Sequence, residues 1–125
     1  MTIAEALALV DEVKPNQWSE ERKIGWLNEL DGRVNAEVIA THEKDANTPI
    51  YQPYTMETDQ DTVLLIPDPY SEVYRWYLEM QIDLANNELK KHNNSMTMFS
   101  LKWGDFTRMY NREHMPLQRA GTWRF

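Results

Sequence analysis

The 125-residue chain is 42% hydrophobic and 26% charged, which is typical of one soluble globular domain and argues against a disordered chain. No apolar run approaches the roughly 18 residues that a membrane-spanning helix requires, and the absence of cysteine excludes disulfides and zinc–thiolate sites. The formal net charge is −7, and because residues 1–101 carry a balance of −10, their surface is expected to repel nucleic-acid phosphates.

Two amphipathic helices are predicted in residues 1–42. Thr2 and Glu5 form the pattern of a capping box at the start of the first helix, and Pro15 ends that helix. Acidic residues within this opening pattern argue against a secretory signal. Ser19 is the predicted N-cap of the second helix, whose apolar stripe continues to about residue 42. Asp31-Gly32 interrupts that stripe, which leaves open one helix or a helix that is kinked or broken there.

Residues 43–66 are predicted to form an extended segment or a short β-hairpin inserted between the second and third helices. Four prolines between positions 49 and 69 exclude a long helix here. The candidate strands are Ile50-Tyr51 and Val63–Ile66. Connections of this length are uncommon in compact domains and usually make contacts of their own.

Two aromatic-rich helices are predicted after the insert, joined by a hinge at Asn93-Asn94-Ser95. The third helix begins near Asp68 or Tyr70, and its polar residues fall on one narrow line: Glu72, Arg75, Glu79, Asp83, Asn86 and Lys90. The remaining circumference is apolar, so we expect this helix to be central in a bundle or to lie at a subunit interface. One apolar flank is the predicted subunit-interface surface: Val73, Trp76, Met80 and Leu84. The fourth helix ends before Pro116 and is the antiparallel neighbour of the third.

These patterns together predict a mainly α fold. The expected architecture is a bundle of about four helices that forms a single domain over residues 1–116, with the extended or β-hairpin insert at about residues 43–66. Residues 117–125 are predicted to be a C-terminal tail beyond the last helix.

The sequence shows no recognisable reaction centre. The three histidines each lie at the predicted C-terminal end of a helix, where an imidazole meets free carbonyl groups: His42, His92 and His114. Glu79 and Asp83 share a helix face and are able in principle to share a proton or a Mg²⁺ ion, but Arg75 on the same line favours a solvated face. We therefore predict no catalytic residue, no cofactor and no metal. The alternative is a small helical metal-dependent enzyme or regulator that uses this acidic pair.

The C-terminal tail carries the residues that we predict to bind a partner. Trp123 and Phe125 lie beyond the last predicted helix and are interleaved with Arg119 and Arg124. Aromatic and arginine side chains are typical anchors of protein interfaces. The alternative is that these aromatic residues fold back over the core of their own subunit.

Three stretches of the chain resemble small structural proteins of tailed phages and prophages. They are KPNQWSEERKIGWLNELDGRV at 14–34, LLIPDPYSEVYRWYLEMQIDLANNE at 64–88 and NNSMTMFSLKWGDFTRMYNREHMP at 93–116. The resemblance extends over roughly residues 1–116. Proteins of this kind are taken to be head–tail connector, or adaptor, proteins, and the family defines no catalytic residue.

The resemblance implies an assembly function. It implies a helical subunit that forms a homo-oligomeric ring, usually twelvefold, on the portal protein and that carries the stopper or tail proteins. DNA would pass through the ring channel without specific binding. The resemblance also implies a location in the host cytoplasm during assembly and then at the head–tail interface of the virion. Another phage tail-completion or assembly protein is the alternative within the same class.

Overall fold

The structure, a computed structural model, describes residues 1–117 and is built from helices. Its α-helices are α1 (Ile3–Val13), α2 (Glu20–Val34), α3 (Glu72–Ala85) and α4 (Leu89–Glu113). The predicted mainly α bundle of four helices is therefore confirmed. No β-strand occurs within residues 1–117, where the only strand-like pairings are two isolated bridges, so the predicted hairpin is not found.

The ends of α1 and α2 follow the local signals of the sequence. Thr2 Oγ1 accepts a hydrogen bond from Glu5 N (3.1 Å), and Glu5 Oε1 accepts one from Thr2 N (3.0 Å), which completes the capping box. Helix α1 then ends two residues before Pro15. Ser19 Oγ accepts from Arg22 N (3.1 Å) and caps α2. Both predicted helix starts are confirmed because each depends only on residues within one turn.

Helix α2 passes through Asp31-Gly32 without a break. The chain continues as a single π-helical turn over Asn35–Ile39, in which Ala40 N donates to Asn35 O at 2.9 Å. Asp31 is compatible with the helix because its side chain is fully buried and hydrogen-bonded. A Cβ atom at Gly32 would lie 3.4 Å from Tyr51 Oη, which is an ordinary van der Waals contact.

The insert between α2 and α3 is an irregular extended segment whose inner residues complete the core. Main-chain bonds hold it against the start of the chain, since Ile3 N donates to Thr62 O (3.1 Å) and Leu64 N donates to Met1 O (2.9 Å). Its buried residues are Tyr54, Leu64, Leu65 and Ile66. The segment therefore makes the contacts that its length predicts, without forming a hairpin.

The connection between α3 and α4 lies earlier in the chain than the sequence predicts. Helix α3 ends at Ala85, and Asn87 adopts the left-handed conformation with φ of 58°, which asparagine tolerates better than most residues. The predicted hinge at Asn93-Asn94-Ser95 is wrong, because these residues lie inside α4. The start of α3 is also corrected, from Asp68 or Tyr70 to Glu72.

Helix α3 is the central element of the bundle. It packs against α1, α2 and α4, and its buried positions include Tyr74, Leu78 and Ile82. The central position agrees with the prediction that was made from the apolar circumference of the helix. Within residues 1–117, no helix is both long enough and apolar enough to cross a lipid bilayer.

Candidate functional site

A fully buried carboxylate, Asp31, joins three parts of the fold. Asp31 Oδ1 accepts a hydrogen bond from Tyr74 Oη (2.6 Å), while Oδ2 accepts from Tyr54 Oη (2.6 Å) and Leu65 N (3.0 Å). Tyr74 Oη in turn accepts from Ile66 N (2.7 Å). The bonds connect α2 with the insert and with α3, so this Asp31 cluster fixes the irregular segment on the bundle.

The electrostatics of the Asp31 cluster follow from its burial. Burial raises the pKa of Asp31, and this effect exceeds the lowering by its three hydrogen-bond donors. Burial and the neighbouring carboxylate likewise raise the pKa of Tyr54 and of Tyr74, so both hydroxyl groups remain donors at neutral pH. In the sequence, Asp31 with Gly32 indicates only an interruption of the apolar stripe. Its position four residues after the apolar Leu27 is the signal that places it on the buried face.

Glu79 and Asp83 are buried and paired with cations from the same chain. Their exposed fractions are 6% and 1%, so the predicted solvated face is wrong at both positions. Lys14 Nζ lies 2.6 Å from Asp83 Oδ1 and 3.9 Å from Glu79 Oε1. Arg75 Nε donates to Glu79 Oε2 (2.7 Å), and Ser95 Oγ donates to Asp83 Oδ2 (2.8 Å). The two carboxylates are therefore neutralised by Lys14 and Arg75.

A buried cation, Lys23, organises the connection between α1 and α2. Lys23 Nζ donates to Asp11 Oδ1 (2.6 Å) and to Asn16 Oδ1 (3.2 Å). Although burial acts in the opposite direction, the hydrogen bonds from Lys23 and Asn16 and the charge of Lys23 lower the pKa of Asp11. Trp18 N donates to Asn16 Oδ1 (3.0 Å), and Trp18 Nε1 donates to Asn86 Oδ1 (3.1 Å). The stretch KPNQW thus has a structural role in this chain.

The three histidines each contact a main-chain carbonyl. His42 Nδ1 lies 2.6 Å from Val38 O, and His114 Nδ1 lies 3.2 Å from Tyr110 O, as expected at the ends of helices. The placement of His92 at the end of α3 is wrong, because His92 lies in α4, where its Nδ1 is 3.0 Å from Met80 O. No group of three or more potential metal ligands occurs in the described part of the chain.

The predicted subunit-interface residues differ widely in accessibility. Val73 is fully buried within its own chain, whereas Trp76 and Met80 are partly buried against the core. Leu84 is 51% exposed at the end of α3. The predicted partner-binding residues of the tail all lie outside the described residues: Arg119, Trp123, Arg124 and Phe125.

Apolar side chains also remain exposed on α4. Leu89 and Met96 are 58% and 44% exposed, and their separation of seven residues places them on one side of the helix. Leu101 is exposed further along the same helix. Isolated apolar side chains are common on protein surfaces, but Leu89 and Met96 lie on one side of α4 and, with Leu84 at the adjoining end of α3, form a candidate contact surface.

An apolar groove lies between the insert, the π-helical turn and the C-terminal end of α4. It has a volume of about 360 Å³, and its apolar walls include Ile39, Val63, Leu65, Phe106, Met109 and Tyr110. Asp45 and Glu113 contribute carboxylates to its lining. A mostly apolar concavity with a few polar groups is the usual form of a binding site.

Comparison of the chain with protein-family models, with curated proteins and with solved structures found no match. The resemblance to phage structural proteins stays a prediction from the three sequence stretches at 14–34, 64–88 and 93–116.

Proposed function

We propose that the chain is a structural subunit of a tailed-phage virion, a head–tail connector that assembles into a ring on the portal protein. The observation that carries the proposal is the resemblance of the three stretches to such proteins. In the structure, the first stretch forms the α1–α2 connection and α2, the second contains α3, and the third lies in α4. Helix α3 packs against both α2 and α4. The residues of the three stretches therefore serve to pack helices together. This role fits an assembly function better than a catalytic function.

The ionisable clusters support a structural role. Lys14 and Asp83 join α3 to the segment after α1, Lys23 and Asp11 join α1 to α2, and Asp31 joins α2 to α3. In each cluster the ionisable group is hydrogen-bonded to partners from the same chain, which positions the helices; Lys14 and Lys23 also pair with carboxylates, whereas Asp31 accepts from neutral donors. A rigid subunit of this kind is suited to repeated assembly into a closed ring.

The exposed apolar residues provide a surface for ring contacts. A ring brings two different faces of each subunit together. We assign the exposed residues Leu84, Leu89 and Met96 to one such face. Trp76 and Met80 are partly buried against the core and extend the apolar surface of α3. The balance of −10 over residues 1–101 suits a channel through which DNA moves without adhering.

Co-purification with the portal protein encoded in the same genome tests the connector function. The tagged full-length chain is expected to retain the portal protein, and electron microscopy is expected to show the chain at the portal vertex. Replacing both Trp123→Ala and Phe125→Ala is expected to abolish retention, while Ile50→Ala, which alters an exposed loop residue, leaves it unchanged. Location of the chain elsewhere in the particle would contradict the proposal.

The ring surface is tested separately from portal binding. Leu84→Glu together with Leu89→Glu places charges on exposed positions, so the fold is expected to persist while ring formation on the portal is lost. Val13→Glu is the matched control, because Val13 is also exposed but lies on α1. Normal rings from the double variant, with an unchanged melting temperature, would exclude this face as the subunit contact.

A further inference from the structure

The turn between α3 and α4 is an exposed tip that combines apolar and basic side chains. We define the tip as residues 84–91, in which Leu84 and Leu89 are both more than half exposed. Lys90 and Lys91 follow directly and are also exposed. Exposed leucines next to cations favour a receiving surface that is apolar and carries carboxylates.

The first turn of α4 is an unfavourable place for these lysines. Lys90 and Lys91 are the second and third residues of the helix, where the positive end of the helix dipole repels cations. Glu88 offsets one of the charges, since Glu88 Oε2 lies 2.7 Å from Lys91 Nζ, but this ion pair is exposed and therefore weak. A carboxylate supplied by another molecule would offset the remaining repulsion.

The apolar groove at the other end of α4 has the properties that the tip requires. Its walls are mainly apolar, and its volume of about 360 Å³ accommodates the side chains of a turn but not a whole helix. Asp45 and Glu113 line the groove and are exposed. Arg112 suits the last turn of α4, whereas the negative end of the helix dipole disfavours the carboxylate of Glu113. Pairing the lysines of the tip with these carboxylates would therefore relieve unfavourable charges at both ends of α4.

The tip and the groove of one chain cannot meet each other. Leu89 in the tip and Met109 in the groove wall lie about 30 Å apart along the continuous helix α4. A contact between the two surfaces must therefore join two copies of the chain. Because it pairs two different surfaces, it repeats in one direction and closes into a ring when the rotation between copies permits.

We propose that the tip of one chain binds in the apolar groove of the next copy. The leucines of the tip enter the groove, and its lysines pair with Asp45 and Glu113 of the neighbouring copy. The groove is then the second face of the ring subunit, and the first is the face that contains Leu84, Leu89 and Met96. The inference rests on the ring contacts of the proposed function and names the surface that receives them.

Photo-crosslinking from the groove of the full-length protein identifies what occupies it. p-Benzoylphenylalanine is placed at Val63, an exposed residue of the groove, in an equal mixture of isotope-enriched and natural chains. The concentrated chain alone and its complex with the portal protein are both irradiated, and mass spectrometry identifies the linked peptides. The expected product joins position 63 to residues 84–96 of a chain with the other isotope content.

Charge reversal tests the pairing of lysines with carboxylates. Lys90→Glu combined with Lys91→Glu is expected to lower the yield of this product about tenfold, because like charges then face each other across the contact. The fold is expected to persist, since acidic residues are favoured in the first turn of a helix. Adding Asp45→Lys and Glu113→Lys to the same chain is expected to restore the yield.

Several results would overturn the inference. A product that joins position 63 to residues 118–125 would give the groove to that segment, and a product with the portal protein would give it to the portal. Arg22→Glu combined with Arg108→Glu is the control, because it makes the same change of net charge at exposed positions outside both surfaces. An equal fall in yield in this control would show that net charge, and not the proposed pairing, governs the contact.

Failure of the inference is distinguishable from failure of the connector function. If the portal protein is retained but neither sample gives a link to residues 84–96, the inference is wrong and the connector function stands. If that link forms but the portal protein is not retained, the connector function is wrong and the contact between copies stands.

Discussion

Replacing Asp31 with leucine removes the acceptor that joins α2, the insert and α3. Leucine is similar in size, but it leaves the hydroxyls of Tyr54 and Tyr74 and the amide of Leu65 without their acceptor. Each such buried donor costs about 1–3 kcal/mol, so three cost roughly 3–9 kcal/mol. Removal of a buried charge offsets part of this loss, and we expect Asp31→Leu to lower the free energy of unfolding by about 3 kcal/mol.

Urea denaturation followed by circular dichroism measures this loss. Asp31→Asn is the matched control, because it keeps one acceptor oxygen and removes the charge, so its loss at neutral pH is expected to be smaller. A free energy of unfolding for Asp31→Leu within about 0.5 kcal/mol of the unaltered protein would refute the reasoning, since that is the effect of an ordinary surface change.

The stability of the unaltered protein relative to Asp31→Asn is expected to change with pH in one direction. Because burial raises the pKa of Asp31, the folded chain keeps this proton to a higher pH than the unfolded chain, whose value is near 3.8. The contribution of Asp31 to stability is therefore fully present below that value and declines as the pH rises through the raised pKa. The stability of the unaltered protein relative to Asp31→Asn is expected to fall from acid to neutral pH. A relative stability that rises over this interval would contradict the assignment.

Three further predictions concern buried charge and helix propensity. Lys14→Met leaves Asp83 and Glu79 without their shared cation and is expected to cost about 3 kcal/mol in urea denaturation, whereas the exposed control Lys44→Met changes stability by less than about 0.5 kcal/mol. Gly25→Ala is expected to stabilise α2 by about 0.5–1 kcal/mol, because its Cβ would meet no atom within 4 Å; a lower melting temperature would contradict this. Addition of Mg²⁺ or Mn²⁺ is expected to leave the melting temperature unchanged, because Lys14 and Arg75 already neutralise the acidic pair; a rise would favour the metal-dependent alternative.

Features that depend on near neighbours in the chain could be predicted from the sequence. The capping box of Thr2 and Glu5, the cap at Ser19 and the end of α1 before Pro15 all follow from contacts within about one helical turn. The apolar circumference of α3 likewise indicated a helix with neighbours on several sides. Such signals are local, so they are readable before the partner elements are known.

The burial of polar residues could not be predicted from the sequence, because it depends on contacts between distant parts of the chain. Asp83 is exposed or buried according to the position of Lys14, which is 69 residues away in the chain, and Asp31 depends on Tyr74, 43 residues away. The turn lies at Asn87 and not at Asn93-Asn94-Ser95, and within α4 the buried Ser95 donates to Asp83, 12 residues earlier in the chain. A charged residue on a helix has the same sequence spacing whether its partner is water or a distant side chain. Local periodicity therefore does not reveal long-range pairs of this kind.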